Sequence, residues 1–186
     1  MESFLFCLIV VFALSIGARD QLMMARMSAR AGGAASLLLV GILVSALSAA
    51  AMAYAGAWIS ALLPLAAQRM LVAFALGAAA FELAWRVKVK PMAEPTQSTG
   101  AFGIVLAATQ LHDAARFAVF AFAAGATLAP AAGLGGAIGG AAALYLGWTL
   151  GDQLEQWPLK LVRWVMAVLS LVAGIYMALL ARGLVI

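Results

Sequence analysis

The feature that most constrains this chain is a series of six long apolar runs separated by short polar or proline-containing stretches. The runs extend over about residues 3–27, 34–59, 67–86, 101–124, 130–151 and 159–180. A helix of about 20 apolar residues is long enough to cross the hydrocarbon core of a bilayer. The chain is 67% hydrophobic and only 10% charged, unlike a soluble domain. We therefore predict an all-α, polytopic membrane protein with six transmembrane helices.

The predicted helices divide into two repeats, residues 1–90 and residues 101–186, joined by a polar linker at residues 91–100. Each repeat contains a helix with polar residues inside it, a helix with a stripe of small residues, and a bulkier closing helix. Three spans in each half force the halves into opposite orientations. This is the inverted-repeat plan of many secondary transporters, in which the substrate site lies between the halves.

Small residues recur at four-residue spacing in the second and fifth runs. The two stripes are Gly41, Ser45, Ala49 and Ala53, and Gly139, Ala143, Gly147 and Gly151. Small side chains allow two helix backbones to approach closely in lipid. The stripes predict close helix packing, within the molecule or in a homodimer or heterodimer.

The basic residues predict the orientation in the membrane. One side carries Arg26, Arg30, Arg86, Lys88, Lys90, Lys160 and Arg163, and the other carries Arg69 and Arg182. The positive-inside rule makes the richer side cytoplasmic, with the linker inside and both termini outside, in the cell inner (plasma) membrane. The basic residues are scattered at run ends rather than clustered with aromatic residues, so a nucleic-acid partner is not expected.

Two polar clusters lie inside apolar runs and are the candidate functional residues. The fourth run contains Thr109, Gln110, His112, Asp113 and Arg116, and the first contains Ser15, Arg19, Asp20 and Gln21. On a continuous helix the residues of the fourth run would share an arc of about 160°. Because a lone ionisable group in a bilayer is costly, we predict that the clusters meet between the halves. Direct ion pairs of Arg19 or Asp20 with Asp113 or Arg116 are expected.

Two interpretations of these clusters are open. They form buried ion pairs that hold the halves in register, or they form a polar pathway in which Asp113 and His112 bind a cation or exchange protons. Other polar and aromatic residues give weaker signals. Glu82 lies near a predicted boundary and is interpreted as a solvated anchor. The tryptophans near run ends are interpreted as an interfacial belt rather than a ligand cage.

The two clusters resemble the paired motif of the GDT1/TMEM165 family of six-helix cation/proton exchangers, in the lysine-exporter-like superfamily. That motif is Glu-x-Gly-Asp-Lys/Arg-Ser/Thr-Gln, once in each half. Residues 15–21, SIGARDQ, keep Gly17, Arg19 and Gln21, with Ser15 and Ala18 at the acidic positions. Residues 110–116, QLHDAAR, keep Asp113, with Gln110 and His112 at the Glu and Gly positions.

The resemblance implies proton-coupled export of manganese or calcium, with Asp113 as the one retained carboxylate ligand, and neither enzymatic activity nor a cofactor. Two alternatives are open. One is a non-transporting subunit that partners a complete homologue. The other is an exporter of amino acids or other small solutes, in which Arg19 and Arg116 contact an anionic or zwitterionic substrate.

Overall fold

The protein is helical throughout the parts described by this computed structural model, which are residues 2–85, 98–126 and 128–185. No strand occurs in these ranges. The helices are α1 (Glu2–Leu14), α2 (Arg19–Arg30), α3 (Ala35–Ala61), α4 (Leu65–Ala84), α5 (Thr99–Gln110), α6 (Ala114–Gly125), α7 (Ala129–Leu150) and α8 (Leu159–Ala181), with a short 3-10 helix (Gly151–Gln156) between α7 and α8.

Three of the long helices begin at a proline. Pro64 and Pro158 immediately precede α4 and α8, and Pro130 lies in the first turn of α7. Proline is suited to a helix start because its missing N–H would have no partner there. The predicted boundaries of the second, third, fifth and sixth runs are therefore close to those of α3, α4, α7 and α8.

Within the described residues, four helices can cross a membrane by length and composition: α3, α4, α7 and α8. A fifth crossing results if α1 and α2, which are bent by 64° at the break between them, form one span. The helices α5 and α6 are shorter and apolar. The prediction of an all-α protein with several membrane helices is confirmed. The prediction of one continuous helix over residues 3–27, and of another over 101–124, is wrong.

Each of these two helices is interrupted within its polar cluster. The first break covers Ser15 to Ala18, where Gly17 has a φ of +74°, a conformation that residues with a Cβ rarely adopt. The second covers Leu111 to Asp113, and Asp113 is extended with a ψ of 141°. The arc that we predicted for residues 109–116 assumed an unbroken helix and therefore does not apply.

The two small-residue helices, α3 and α7, pack against each other. All four members of the α3 stripe are buried, as are Gly139, Ala143 and Gly147 of α7. A Cβ atom added at Gly133 of α7 would lie 3.0 Å from the Cβ of Ala53. The predicted close packing is confirmed within this chain, and dimerisation stays a prediction.

The outer surface is apolar, as expected of a protein surrounded by lipid. Leu47, Phe74 and Ile104 are each at least 70% exposed. Helix α8 packs mainly on α4 and buries Arg163, Ala167, Ser170 and Gly174. Residues 91–97 of the predicted linker lie outside the described residues, and α5 already begins at Thr99, inside the predicted linker.

Candidate functional site: a cavity between two broken helices

The first break is held in place by Gln21, which is fully buried. Its side-chain oxygen accepts a hydrogen bond from the Gly17 N–H at 2.8 Å, and its side-chain nitrogen donates to the Ala143 carbonyl of α7 at 3.0 Å. Backbone groups released by a break inside a membrane need such partners. Gln21 therefore fixes the start of α2, and with it Asp20, whose Oδ1 accepts from the Gln21 N–H at 2.8 Å.

The second break positions Asp113 at the start of α6. The Asp113 carbonyl accepts the first hydrogen bonds of α6, from the N–H groups of Arg116 and Phe117. The carboxylate makes no capping hydrogen bond. Asp113 is 6% exposed, and its Oδ2 has no hydrogen-bond partner among the described residues. A buried carboxylate oxygen without a partner is costly to maintain and is a strong candidate for a functional group.

A chain of hydrogen bonds connects the two polar clusters. The Arg116 Nε donates to the Ser48 Oγ at 2.7 Å, and this hydroxyl donates to the Gln110 Oε1 at 2.7 Å. The Gln110 Nε2 then donates to the Asp20 Oδ2 at 3.0 Å. Every donor in this chain points from the guanidinium towards the Asp20 carboxylate, so the chain stabilises the negative charge on Asp20.

The prediction that the clusters meet is therefore correct, but the predicted direct ion pairs are wrong. No carboxylate lies within 4 Å of the Arg19 or Arg116 guanidinium in the described parts of the chain. Arg116 is 1% exposed and instead also donates from Nη2 to the Ser45 Oγ at 2.9 Å. Its Nη1 has no partner among the described groups.

Gly140 of α7 provides the space for this guanidinium. A Cβ atom at position 140 would lie 2.5 Å from the Ser45 Oγ, 3.1 Å from the Arg116 Nη1 and 3.2 Å from the Arg116 Nη2. Gly140 is therefore needed because a larger side chain would overlap the Ser45 hydroxyl and the Arg116 guanidinium, and not only because two helix backbones approach closely. Ser45 and Gly140 thus combine helix packing with binding of Arg116.

A cavity of about 360 Å³ lies where the two breaks face the C-terminal half of α4. Its polar lining comes from five residues of the two predicted clusters and one further residue, which are Arg19, Asp20, Thr109, His112, Asp113 and, outside the clusters, Glu82. Its apolar lining consists of Ala78, Phe81, Trp85 and Phe117. The other predicted site residues, Ser15, Gln21, Gln110 and Arg116, are buried and do not line the cavity.

Glu82 is not the solvated anchor that we predicted. Its carboxylate forms an ion pair with Arg163 of α8, with the Nη2 at 3.3 Å from Oε1, and both side chains are largely buried. Arg163 also donates to the carbonyl groups of Glu82 and Gly17. Arg163, counted above as a loop charge, therefore ties α8 to α4 and to the first break.

Several functional residues were missed by sequence reasoning. Ser45 and Ser48 lie in a run of small residues, where a hydroxyl is usually a packing group. Because they are three residues apart, the two hydroxyl groups lie on one helix face, and this spacing was the feature of the sequence that could have identified them as a polar pair. Trp85 was assigned to the interfacial belt, which stays a prediction; the residue also lines the cavity, and its ring lies 5.3 Å from that of Phe81.

Comparisons of this chain with protein-family models, with curated proteins and with solved structures find no match. The resemblance to the exchanger family stays a prediction that rests on the two polar clusters. Among the described residues, no three His, Cys, Asp or Glu side chains converge as a metal site. The assignment of Asp113 as a metal ligand is likewise still a prediction.

Proposed function

We propose that this protein is a membrane secondary transporter in which a small cation and a proton compete for Asp113. The single observation that carries the proposal is that Asp113 lines the cavity between the breaks while its buried Oδ2 has no hydrogen-bond partner among the described residues. An ionisable group within a membrane protein commonly marks an ion or proton pathway. The family resemblance implies that the cation is Mn²⁺ or Ca²⁺ and that the direction is export.

The proposal includes six membrane crossings in two inverted halves. Each half begins with a helix that breaks at a polar cluster and continues with a long small-residue helix and a proline-initiated helix. Corresponding helices also pack on each other, α3 on α7 and α4 on α8, which is compatible with a two-fold relation between the halves. Broken helices that meet at a site near the centre are common in transporters built from inverted repeats.

Exchange at a single carboxylate follows from the hydrogen bonding of the cavity. Asp20 is held by Gln110 and by the Gln21 N–H, and Glu82 is held by Arg163. Asp113 alone among these carboxylates has a side-chain oxygen without a partner. A proton or a cation can bind there without breaking an existing bond, and each excludes the other.

The test is transport by the purified protein in liposomes that contain a pH-sensitive dye. We expect an imposed gradient of the transported cation to drive proton movement, and Asp113→Asn to abolish it. Since Asp113 has no ion pair, the same substitution should change the free energy of unfolding by no more than about 1 kcal/mol. Asp152→Asn, at an exposed carboxylate in the 3-10 helix, is the matched control and should transport normally.

Proton-coupled flux that survives in Asp113→Asn would refute the role of this residue. If instead Asp113 only balances an arginine charge, its substitution should destabilise the fold by about 3–5 kcal/mol. Absence of flux for every cation and solute tested would favour the non-transporting subunit.

A second candidate function, export of a zwitterionic solute, is favoured by one observation. Arg19 and Asp113 line the same cavity, so a substrate carboxylate and ammonium group have opposite charges to contact. Arg116 lies outside this cavity lining, unlike in our prediction. Uptake of labelled amino acids in the same liposomes distinguishes this function, because it should depend on Arg19 and require no metal ion.

A further inference from the structure

We infer that the cation bound by this cavity is a monovalent organic ammonium ion, with its charge on Asp113 and its apolar substituents on the aromatic wall. This inference rests on the proposed function, and it names an organic ammonium ion as the substrate class in place of the Mn²⁺ or Ca²⁺ that the family resemblance implies. The size of the cavity, about 360 Å³, is within the range of about 300–1,000 Å³ that is usual for small-molecule sites. A bare metal ion would need far less space.

The aromatic wall is the first independent observation. Phe81, Trp85 and Phe117 line the cavity beside the carboxylates, and the Phe81 and Trp85 rings lie against each other at an angle of 45°. Aromatic faces attract ammonium groups that carry alkyl substituents, and tryptophan is the most effective of them. Hard divalent ions prefer six or more oxygen ligands and gain little from such a wall.

The charge balance is the second observation. Asp20 and Glu82 line the same cavity as Asp113, Glu82 is paired with Arg163, and Arg116 is connected to Asp20 through Ser48 and Gln110. With Arg19 included, the charged groups at and behind the cavity wall are three carboxylates and three guanidinium groups. One bound monovalent cation then changes the charge of the site by the same amount as one bound proton. These charges sum to zero, so a monovalent cation adds one positive charge to the site and a divalent ion adds two, and each further charge inside the membrane is costly.

The Asp113 carboxylate is where the ammonium group would be held. Asp113 lines the cavity, and its buried Oδ2 accepts no hydrogen bond from the described residues, so the negative charge is not neutralised by a donor at that oxygen. An ammonium group with an N–H can donate to this carboxylate, and a quaternary group can approach it by charge alone. Glu82 is already paired with Arg163 and contributes less to binding.

The test uses binding of radiolabelled tetramethylammonium to the purified full-length protein, with K⁺ and Mn²⁺ as competitors. We expect saturable binding that K⁺ and Mn²⁺ displace weakly and that Asp113→Asn abolishes. Trp85→Leu should raise the Kd by about 5- to 30-fold, which corresponds to about 1–2 kcal/mol. Trp85→Phe should restore most of the affinity, because it retains an aromatic face.

Trp58→Leu is the matched control. Trp58 and Trp85 are both 59% exposed, but only Trp85 lines the cavity. Equal affinity of Trp85→Leu and Trp58→Leu for tetramethylammonium would overturn the inference. Saturable Mn²⁺ binding that depends on Asp113, without tetramethylammonium binding, would also overturn it and leave the proposed transport function intact. Tetramethylammonium binding without any flux would refute the transport function and support the substrate class.

Discussion

Replacing Gly140 with alanine should destabilise the protein through a polar group, and the expected cost can be worked out from the structure. The new Cβ would lie 2.5 Å from the Ser45 Oγ, a separation that the two atoms cannot keep. Adding one methyl group to a packed interior costs about 1–3 kcal/mol. If Ser45 rotates away, its hydrogen bond from the Arg116 Nη2 is lost, and bonds to charged groups contribute about 1.5–3 kcal/mol.

We therefore expect Gly140→Ala to lower the free energy of unfolding by about 3 kcal/mol, since rotation of Ser45 relieves part of the overlap. The assay is equilibrium unfolding in mixed micelles of a mild detergent and sodium dodecyl sulfate. Gly77→Ala in α4 is the matched control, because a Cβ there would meet nothing within 4 Å. This control should be neutral or up to about 1 kcal/mol more stable, as alanine favours helix.

A double-mutant cycle with Ser45→Ala identifies the cause. If the overlap with the Ser45 hydroxyl is responsible, Ser45→Ala combined with Gly140→Ala should cost little more than Ser45→Ala alone. The two substitutions would then be strongly non-additive, with a coupling energy above about 1 kcal/mol. A Gly140→Ala variant as stable as the wild type would refute the account of Gly140 as the residue that makes room for Ser45 and Arg116. Additive costs in the cycle would refute the overlap with the Ser45 hydroxyl as the cause of the destabilisation.

Two further predictions concern the buried ion pair and the orientation. Arg163→Met should leave Glu82 as an unpaired buried charge and cost about 3–5 kcal/mol in the same unfolding assay. Glu155→Gln, which breaks the exposed pair with Arg26, should cost at most about 1 kcal/mol. Equal costs would contradict the assignment of Arg163–Glu82 as the more strongly stabilising pair. In a Cys7→Ala background, Gln97→Cys should be labelled by a membrane-impermeant reagent only from the cytoplasmic side, and labelling from outside alone would reverse the predicted orientation.

The sequence by itself determined the main membrane helices. In lipid every backbone N–H and C=O needs a partner within the protein. A long apolar run therefore forms a helix, because a helix pairs these groups within the same segment. The length of the run and the proline at its start then set the boundaries, as for α4, α7 and α8. The small-residue stripes were predictable for the same local reason, because small side chains let helix backbones approach closely, as Gly139 and Gly147 of α7 do against α1 and α2.

The polar clusters were predictable as candidate sites, but their geometry was not. The break after α1 needs Gly17 for its positive φ, yet it also needs Gln21 and Arg163 to bind the Gly17 N–H and carbonyl groups. Arg163 is 146 residues from Gly17 in the sequence. In an unbroken helix the backbone N–H and C=O groups bond to each other. A break releases some of these groups, and it is stable only if other helices supply hydrogen-bond partners, which the local sequence does not reveal.

Only the tertiary structure decided which polar groups meet. Opposite charges in the two clusters suggested direct ion pairs, but Ser48 and Gln110 lie between Arg116 and Asp20 and carry the interaction instead. Glu82, near a predicted boundary, was brought to the cavity by the packing of α4. Hydrogen bonds and ion pairs act over about 3–4 Å. The residue type shows only that a buried polar group needs a partner. Which partner it finds depends on helix positions that arise from packing along the whole chain.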